Sequence, residues 1–158
     1  MKEEVQNNEE KKLEERVLLI RRVSKKTAGG NHVTFSALVA VGDTRGKVGI
    51  GIGRAQEVPS AIQKGMSYAK KHMITVPLFK STIAHRVQVK HKAAVVLIKP
   101  APLGTGLKVG SVVRIILELV GVQDASGKIL GSRNQVVNTY TIMKALKQLK
   151  PKITKNNK

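Results

Sequence analysis

A glycine-rich segment, Gly42–Lys71, constrains the fold of this chain more than any other part of its sequence. Aliphatic residues and glycines alternate along its first half, in the order Val48, Gly49, Ile50, Gly51, Ile52, Gly53. A strand with this period of two buries the aliphatic side chains and presents bare backbone on its other face. Because glycine weakens a strand interior, three on one face indicate that something large approaches the backbone there.

An amphipathic helix is predicted directly after this strand, over Glu57–His72. Its apolar stripe consists of Val58, Ile62, Met66, Ala69 and Met73. Lys64, Tyr68 and Lys71 fall on the opposite side of the helix. A smooth strand face beside a helix with an outward row of cations is a suitable surface for a phosphate backbone.

The charge of the chain also indicates a polyanionic partner. It carries 29 Lys and Arg against 10 Asp and Glu, for a formal net charge of +19. Six of the ten acids lie in the first 15 residues, so 26 basic and four acidic residues remain from Arg16 onward, a balance of +22. A chain this basic repels itself unless it binds nucleic acid or another polyanion. At 41% hydrophobic residues, it is nevertheless expected to fold.

Several classes of protein are disfavoured by composition. The chain has no cysteine, which excludes disulfides, thiolate zinc sites and cysteine nucleophiles. Its longest apolar run, Ala93–Ile98, is too short to cross a bilayer, and no signal peptide is apparent. We expect a soluble, cytoplasmic protein without a membrane partner. Aromatic residues make up only 3%, which favours recognition of RNA through backbone charge and helical shape over base stacking.

An α+β chain of two small domains is predicted, with an acidic disordered extension over 1–14 and a basic tail over 151–158. The first domain, 15–77, is read as β-β-β-α, with strands at Arg16–Val23 and His32–Val41 separated by a loop, Ser24–Asn31. The second domain, 78–150, is read as β-β-α-β-α. Its predicted elements are strands at Ile83–Lys90 and Ala93–Lys99, a loop at Pro100–Gly110, a helix at Ser111–Val120 with Gly121 as C-cap, a strand-like segment at Val122–Leu130 with a turn at Ser126–Gly127, and a helix from an Asn134 N-cap to Leu149.

The order of these motifs closely resembles the bacterial-type small-subunit ribosomal protein five family. The matching residues include Arg22-Val23-Ser24-Lys25, Gly29-Gly30, Val41-Gly42-Asp43, Gly46, Gly49, Gly51, Gly53, Glu57-Val58-Pro59, Gly104-Thr105-Gly106, Arg114, Glu118, Gly121-Val122 and Gly131-Ser132 with Asn134. They extend over roughly Glu15–Leu149. The chain departs from the family at Gln135 and Val137, where Pro and Asn are usual, and at Arg54, where Lys is usual.

This resemblance implies a first domain like the double-stranded RNA-binding domain and a second that bridges neighbouring proteins. It also implies a ribosome-bound structural role: binding small-subunit rRNA near the path of messenger RNA, contacting small-subunit proteins four and eight, and influencing decoding accuracy. The expected location is the cytoplasm, bound to the ribosome, and an organellar ribosome is not excluded. The RNA-binding candidates are Arg21, Arg22, Lys25, Lys26, Gly29, Gly30, Arg45, Lys47, Gly49, Gly51, Gly53, Arg54, Lys64 and Lys71. The protein-interface candidates are Gly104, Thr105, Gly106 and Arg114.

Ordinary alternatives exist for these residues: a solvated charge cluster for the cations, and packing or turn formation for the glycines. A dinucleotide site is disfavoured because Arg54 stands where that fingerprint requires glycine. Four widely spaced acids follow residue 15, with no paired carboxylates, metal-ligand spacing or nucleophile–base pair. We therefore expect no catalytic residue, metal, cofactor or small-molecule substrate. Two alternatives from other classes of protein remain. One is a free-standing protein that binds double-stranded RNA or the nucleoid, and the other is an RNA-directed enzyme.

Overall fold

The computed structural model describes residues 13–152. The predicted acidic extension lies outside these residues except for Leu13 and Glu14, and the predicted basic tail does so beyond Lys152. Among the described residues, no helix is long and apolar enough to cross a membrane. The α+β class and the two-domain arrangement are confirmed: residues 13–152 form three helices and two four-stranded sheets, together with one short hairpin.

An antiparallel sheet and one helix form the first domain. The sheet has the order β1-β2-β3-β4, and its elements are β1 (Glu14–Thr27), β2 (Gly30–Gly42), β3 (Lys47–Ala55), α1 (Val58–Lys71) and β4 (Ile74–Thr75). The alternation predicted for β2 is observed. Ala37, Val39 and Val41 pack toward α1, and Leu38 and Ala40 are buried on the other face.

The predicted loop Ser24–Asn31 is wrong, because the two strands continue through it as a β-ribbon. Lys25 pairs with His32, Lys26 with Asn31, and Ala28–Gly29 forms the turn. All residues of β1 from Ile20 onward are exposed. A strand that packs against no core needs no apolar alternation, so the period that identifies other strands is missing here.

The glycines of β3 lie directly beneath α1. A Cβ added to Gly49, Gly51 or Gly53 would collide with the carbonyl oxygens of Ala69, Gly65 and Ala61, respectively. All three β3 glycines are buried, in a strand that α1 covers. The predicted close approach therefore exists, but the partner is the protein's own helix. The bare face of Gly49, Gly51 and Gly53 is therefore closed to RNA by α1, and their assignment to RNA binding stays a prediction.

This close approach also changes which side of α1 is buried. The residues that face the sheet most closely are small: Ala61, Gly65 and Ala69 are buried. Of the predicted apolar stripe only Ala69 is fully buried, while Ile62 and Met66 are half-buried against the same cluster. Small residues stand where the backbones nearly touch, and larger side chains fill the margins of the contact.

The second face of the first sheet packs on the second domain. Ala40, Val48 and Ile50 belong to one continuous core with the aliphatic residues of the second domain. That domain has a sheet of order β7-β8-β10-β9 and two helices. Its elements, with the short preceding hairpin, are β5 (Leu78–Phe79), β6 (Thr82–Ile83), β7 (Val87–His91), β8 (Ala94–Pro100), β9 (Leu107–Lys108), α2 (Ser111–Val120), β10 (Ala125–Leu130) and α3 (Gln135–Gln148).

The two helices of this domain agree closely with prediction. Helix α2 has the predicted bounds, and Gly121 ends it in the left-handed region with φ 98°. The side chain of Asn134 accepts a hydrogen bond from the backbone N–H of Val136 at 3.1 Å, which caps α3 although Gln135 replaces the family's usual proline. The turn predicted at Ser126–Gly127 is wrong. Both residues lie within β10, where a Cβ on Gly127 would strike the backbone of β8.

The β2–β3 hairpin joins the two domains through backbone hydrogen bonds. The N–H of Thr44 donates to the Leu119 carbonyl at 3.0 Å, and the N–H of Gly46 donates to the Val120 carbonyl at 2.8 Å. These carbonyls belong to the last turn of α2, where helical carbonyls have no partner within the helix. The hairpin therefore caps α2, and a Cβ on Gly42 or Gly121 would collide with this contact.

Candidate nucleic-acid interface

The central part of the first sheet is covered on both faces, on one by α1 and on the other by the second domain. A phosphate backbone can reach the first domain at the ribbon, at the ends and edges of the sheet, and on the outer face of α1. The candidate cations are distributed over these surfaces.

Four exposed candidates lie along β1: Lys25 and Lys26 in the ribbon, and Arg21 and Arg22 in the part of β1 that leads into it. Cross-strand partners point to the same face, so Arg21 and Lys25 share the face of Ser36 and His32, while Arg22 and Lys26 lie on the other. The five residue pairs beyond the end of β3 extend about 17 Å at the usual strand rise. The ribbon thus presents cations on both sides.

The glycines at the ribbon tip have open surroundings. A Cβ on Gly29 or Gly30 would meet nothing within 4 Å, and Gly30 has φ 120°. The hydroxyl of Thr27 donates to the Gly30 carbonyl at 2.7 Å and closes the turn. These glycines therefore serve a tight turn, and their backbone is accessible to a partner.

Arg54 lies across the sheet from Arg21. Arg54 pairs with Ser36, and Ser36 pairs with Arg21, so the two arginines stand in one row about 10 Å apart. They border a groove of about 350 Å³ whose lining includes Leu38, Ile52 and, from the start of α3, Asn134 and Val136. The row connects the ribbon to the end of β3.

Lys64 extends this cationic surface onto α1. Its Nζ donates to the Arg54 carbonyl at 3.4 Å, and both residues line an open groove with Glu57 and Ser60 at the start of the helix. Lys71 lies on the same outer face two turns further on and is exposed. We define the cationic surface as Arg21, Arg22, Lys25, Lys26, Arg54, Lys64 and Lys71.

Arg45 and Lys47 do not belong to this surface. They lie in the β2–β3 hairpin, whereas Arg54 lies at the other end of β3, about 23 Å from Lys47 at the usual strand rise. Asp43 fixes this hairpin, since one of its carboxylate oxygens accepts from the N–H of Arg45 at 2.9 Å and of Lys47 at 2.8 Å. Asp43 was not among the candidates, although an Asp at the start of a glycine-containing turn is a recognised signal.

The predicted protein-interface loop is organised by a residue that the sequence analysis also missed. Asp124 is buried, and its carboxylate accepts a hydrogen bond from the N–H of Gly106 at 2.9 Å. Hydrogen bonds from the Gly106 backbone and the Ser81 side chain hold the pKa of Asp124 below its ordinary value, with smaller contributions from Gly104 and Thr105. No local pattern reveals this role, because Gly106 precedes Asp124 by 18 residues.

Arg114 lies beside the same loop. It lines an open groove with Gly106, and also with Thr44 of the hairpin that caps α2. The guanidinium Nε donates to Glu118 at 3.0 Å, and both side chains are about half exposed. Gly104 and Gly106 have φ of 87° and 74°, with open space where a Cβ would stand. The four interface candidates therefore form one surface, remote in the fold from the ribbon tip.

The fold and the distribution of charge define a basic two-domain α+β protein. Two families match in succession: ribosomal protein S5, N-terminal domain, over residues 13–77, and ribosomal protein S5, C-terminal domain, over residues 89–154. Small ribosomal subunit proteins uS5 from several strains of Thermus thermophilus are each 49% identical to this chain over 139 residues. The match covers 88% of this chain and 86% of each relative. The chain belongs to the ribosomal protein S5 family.

Proposed function

We propose that this chain is a non-catalytic structural component of the small ribosomal subunit that binds rRNA through its first domain. The observation that carries the proposal is the cationic surface, which runs from the ribbon through Arg21 and Arg54 to the outer face of α1. These cations are exposed and take no part in the core. Membership of the S5 family supports the ribosomal context.

The mechanism is electrostatic clamping of folded RNA. Lysines on both sides of a projecting ribbon, with Arg21 and Arg22 at its base, can bind phosphates on two neighbouring backbones, and each contact releases counterions. Such contacts position the protein and carry little sequence information. The hairpin cations Arg45 and Lys47 lie apart, so any RNA they bind is a second segment.

The second domain supplies a protein-binding surface under this proposal. Its parts are Arg114 and the loop Gly104–Gly106, which Asp124 holds in place. By resemblance to the family, small-subunit protein four is the partner here, protein eight contacts the chain elsewhere, and the path of messenger RNA lies nearby. A surface of this kind influences decoding accuracy if it loosens or tightens as the subunit closes.

Sedimentation of a cell lysate through a sucrose gradient, before and after a high-salt wash, tests the ribosomal role. Stoichiometric cofractionation with small subunits that survives the wash is expected. A chain spread through the light fractions would instead identify a free-standing RNA or nucleoid-binding protein. Charge reversal of the ribbon with Lys25→Glu and Lys26→Glu is expected to move the chain to the light fractions.

The accuracy role has a separate test. Arg114→Glu reverses an exposed charge at the proposed interface, and a misreading reporter is expected to change. Lys128→Glu is the matched control, because Lys128 is also exposed and lies on β10. Unchanged misreading with Arg114→Glu, or an equal change with Lys128→Glu, would contradict the assignment of this surface.

A further inference from the structure

Two aromatic rings stack on the outer face of α1. The ring centroids of Tyr68 and His72 are 4.1 Å apart with an interplanar angle of 23°. Nδ1 of His72 lies 2.9 Å from the Tyr68 carbonyl oxygen, within hydrogen-bonding distance, which holds the imidazole ring in this orientation. The pair is therefore ordered before any partner arrives.

Core packing does not explain this pair. Tyr68 is 51% exposed, and α1 contacts the sheet through Ala61, Gly65 and Ala69 on its other side. The buried side of the helix is built from small residues, while Tyr68, the one aromatic residue of α1, faces outward. Exposed aromatic rings are the groups on which unpaired nucleobases stack.

The surroundings of the pair are cationic. Tyr68 lines an open groove of about 560 Å³ with Lys64 and Lys71, which lie four residues before and three residues after it. Ser60, Gln63 and Ser67 add polar groups to the same groove. Among the described residues the groove has no acidic lining, so its charge suits a phosphate on either side of a stacked base.

We propose that Tyr68, stacked on His72, is a platform for one unpaired nucleobase of RNA, with Lys64 and Lys71 binding the flanking phosphates. This inference deepens the proposed function and rests on it. The low aromatic content of the chain argues against a strand threaded over many stacking residues. A single platform beside a duplex-binding surface instead selects a bulged or end-unpaired base within folded RNA.

The test uses the full chain and two RNA duplexes that differ by one bulged 2-aminopurine. Stacking on an aromatic side chain changes affinity by about tenfold. Wild-type protein is expected to bind the bulged duplex about tenfold more tightly than the paired one, and to quench the 2-aminopurine fluorescence. Tyr68→Ala is expected to abolish both effects while leaving affinity for the paired duplex unchanged.

Tyr68→Phe is the matched control, because phenylalanine keeps the ring and loses only the hydroxyl. It is expected to retain both the preference and the quenching. Equal affinity of the wild type for the two duplexes, or a Tyr68→Ala variant that still prefers the bulge, would overturn the platform and leave the proposed function intact. Failure to bind either duplex at low salt would overturn both.

Discussion

Two parts of the first sheet, the β3 strand and the ribbon, both combine glycines with basic residues but have opposite surroundings. In β3 the glycines meet the carbonyl oxygens of α1 so closely that no side chain fits. In the ribbon a Cβ on Gly29 would meet nothing within 4 Å, and the side chains from Ile20 onward are exposed. Glycine in the first case permits packing, and in the second it permits a turn. The lysines of the ribbon remain available for a partner.

The largest expected effect is a loss of stability from a substitution in β3, the closely packed part of the sheet. Gly53→Val places a branched side chain against the Ala61 carbonyl, which is backbone and cannot move without α1. We expect a loss of about 3 kcal/mol in the free energy of unfolding. Urea denaturation followed by circular dichroism measures it. Gly29→Ala is the control and is expected to stay within about 0.5 kcal/mol of the wild type.

Substitutions in the ribbon are expected to weaken RNA binding and to leave stability unchanged. Lys25→Ala with Lys26→Ala should leave the free energy of unfolding within about 0.5 kcal/mol of wild type, since both side chains are exposed. The slope of log affinity against log salt should fall by about two units, one for each lost phosphate contact. Filter binding over a salt series gives this slope. A changed preference among RNA sequences, with the slope unaltered, would count against electrostatic clamping.

The loop Gly104–Gly106 is intermediate between the two parts, since it is open on its outside but held from inside by Asp124. The pKa of Asp124 is lowered in the folded protein, so the ionised carboxylate stabilises the fold above its unfolded pKa of 3.8. This stabilisation is lost as pH falls through the lower, folded pKa.

Asp124→Asn is therefore expected to melt below the wild type at pH 7 and to approach it at acidic pH. Thermal denaturation between pH 7 and pH 2 measures the difference in Tm. A difference that stays constant across this range would show that the charge of Asp124 has no part in holding the loop.

The smallest expected effect on stability comes from the exposed Arg114–Glu118 ion pair on α2. Arg114→Ala removes an i,i+4 ion pair and should lower the free energy of unfolding by about 0.3–0.5 kcal/mol. Glu118→Gln should give a similar loss, and the double variant should lose no more than either single one. Urea denaturation in a double-mutant cycle checks this. A loss above about 1 kcal/mol would mean that Arg114 stabilises the fold through more than this ion pair.

Most of the elements with apolar faces are predictable from the sequence. Helix α2 has an uninterrupted aliphatic face and a glycine C-cap, and its bounds agree with prediction. Helix α3 is identified by the Asn134 cap. The ribbon is missed because β-structure without a buried face leaves no hydrophobic period, and polar composition then resembles a loop.

The sequence predicts which charged residues belong to the candidate site, but it does not predict which of them the fold brings together. Sequence spacing places Lys47 and Arg54 together, whereas an extended strand holds them at opposite ends. The β3 glycines signal a close approach without identifying the partner, because any backbone or RNA strand produces the same pattern. Asp124 escapes notice because a contact between residues 18 positions apart depends on the tertiary fold.

Strand β2 runs without interruption from the ribbon turn at Gly30 to Gly42, where the hairpin caps α2. At the usual rise per residue, β2 is about 40 Å long. One end carries the ribbon cations, and the other abuts the helix that bears Arg114. Because backbone hydrogen bonds join the hairpin to α2, β2 connects the ribbon directly to the second domain with no flexible linker between them.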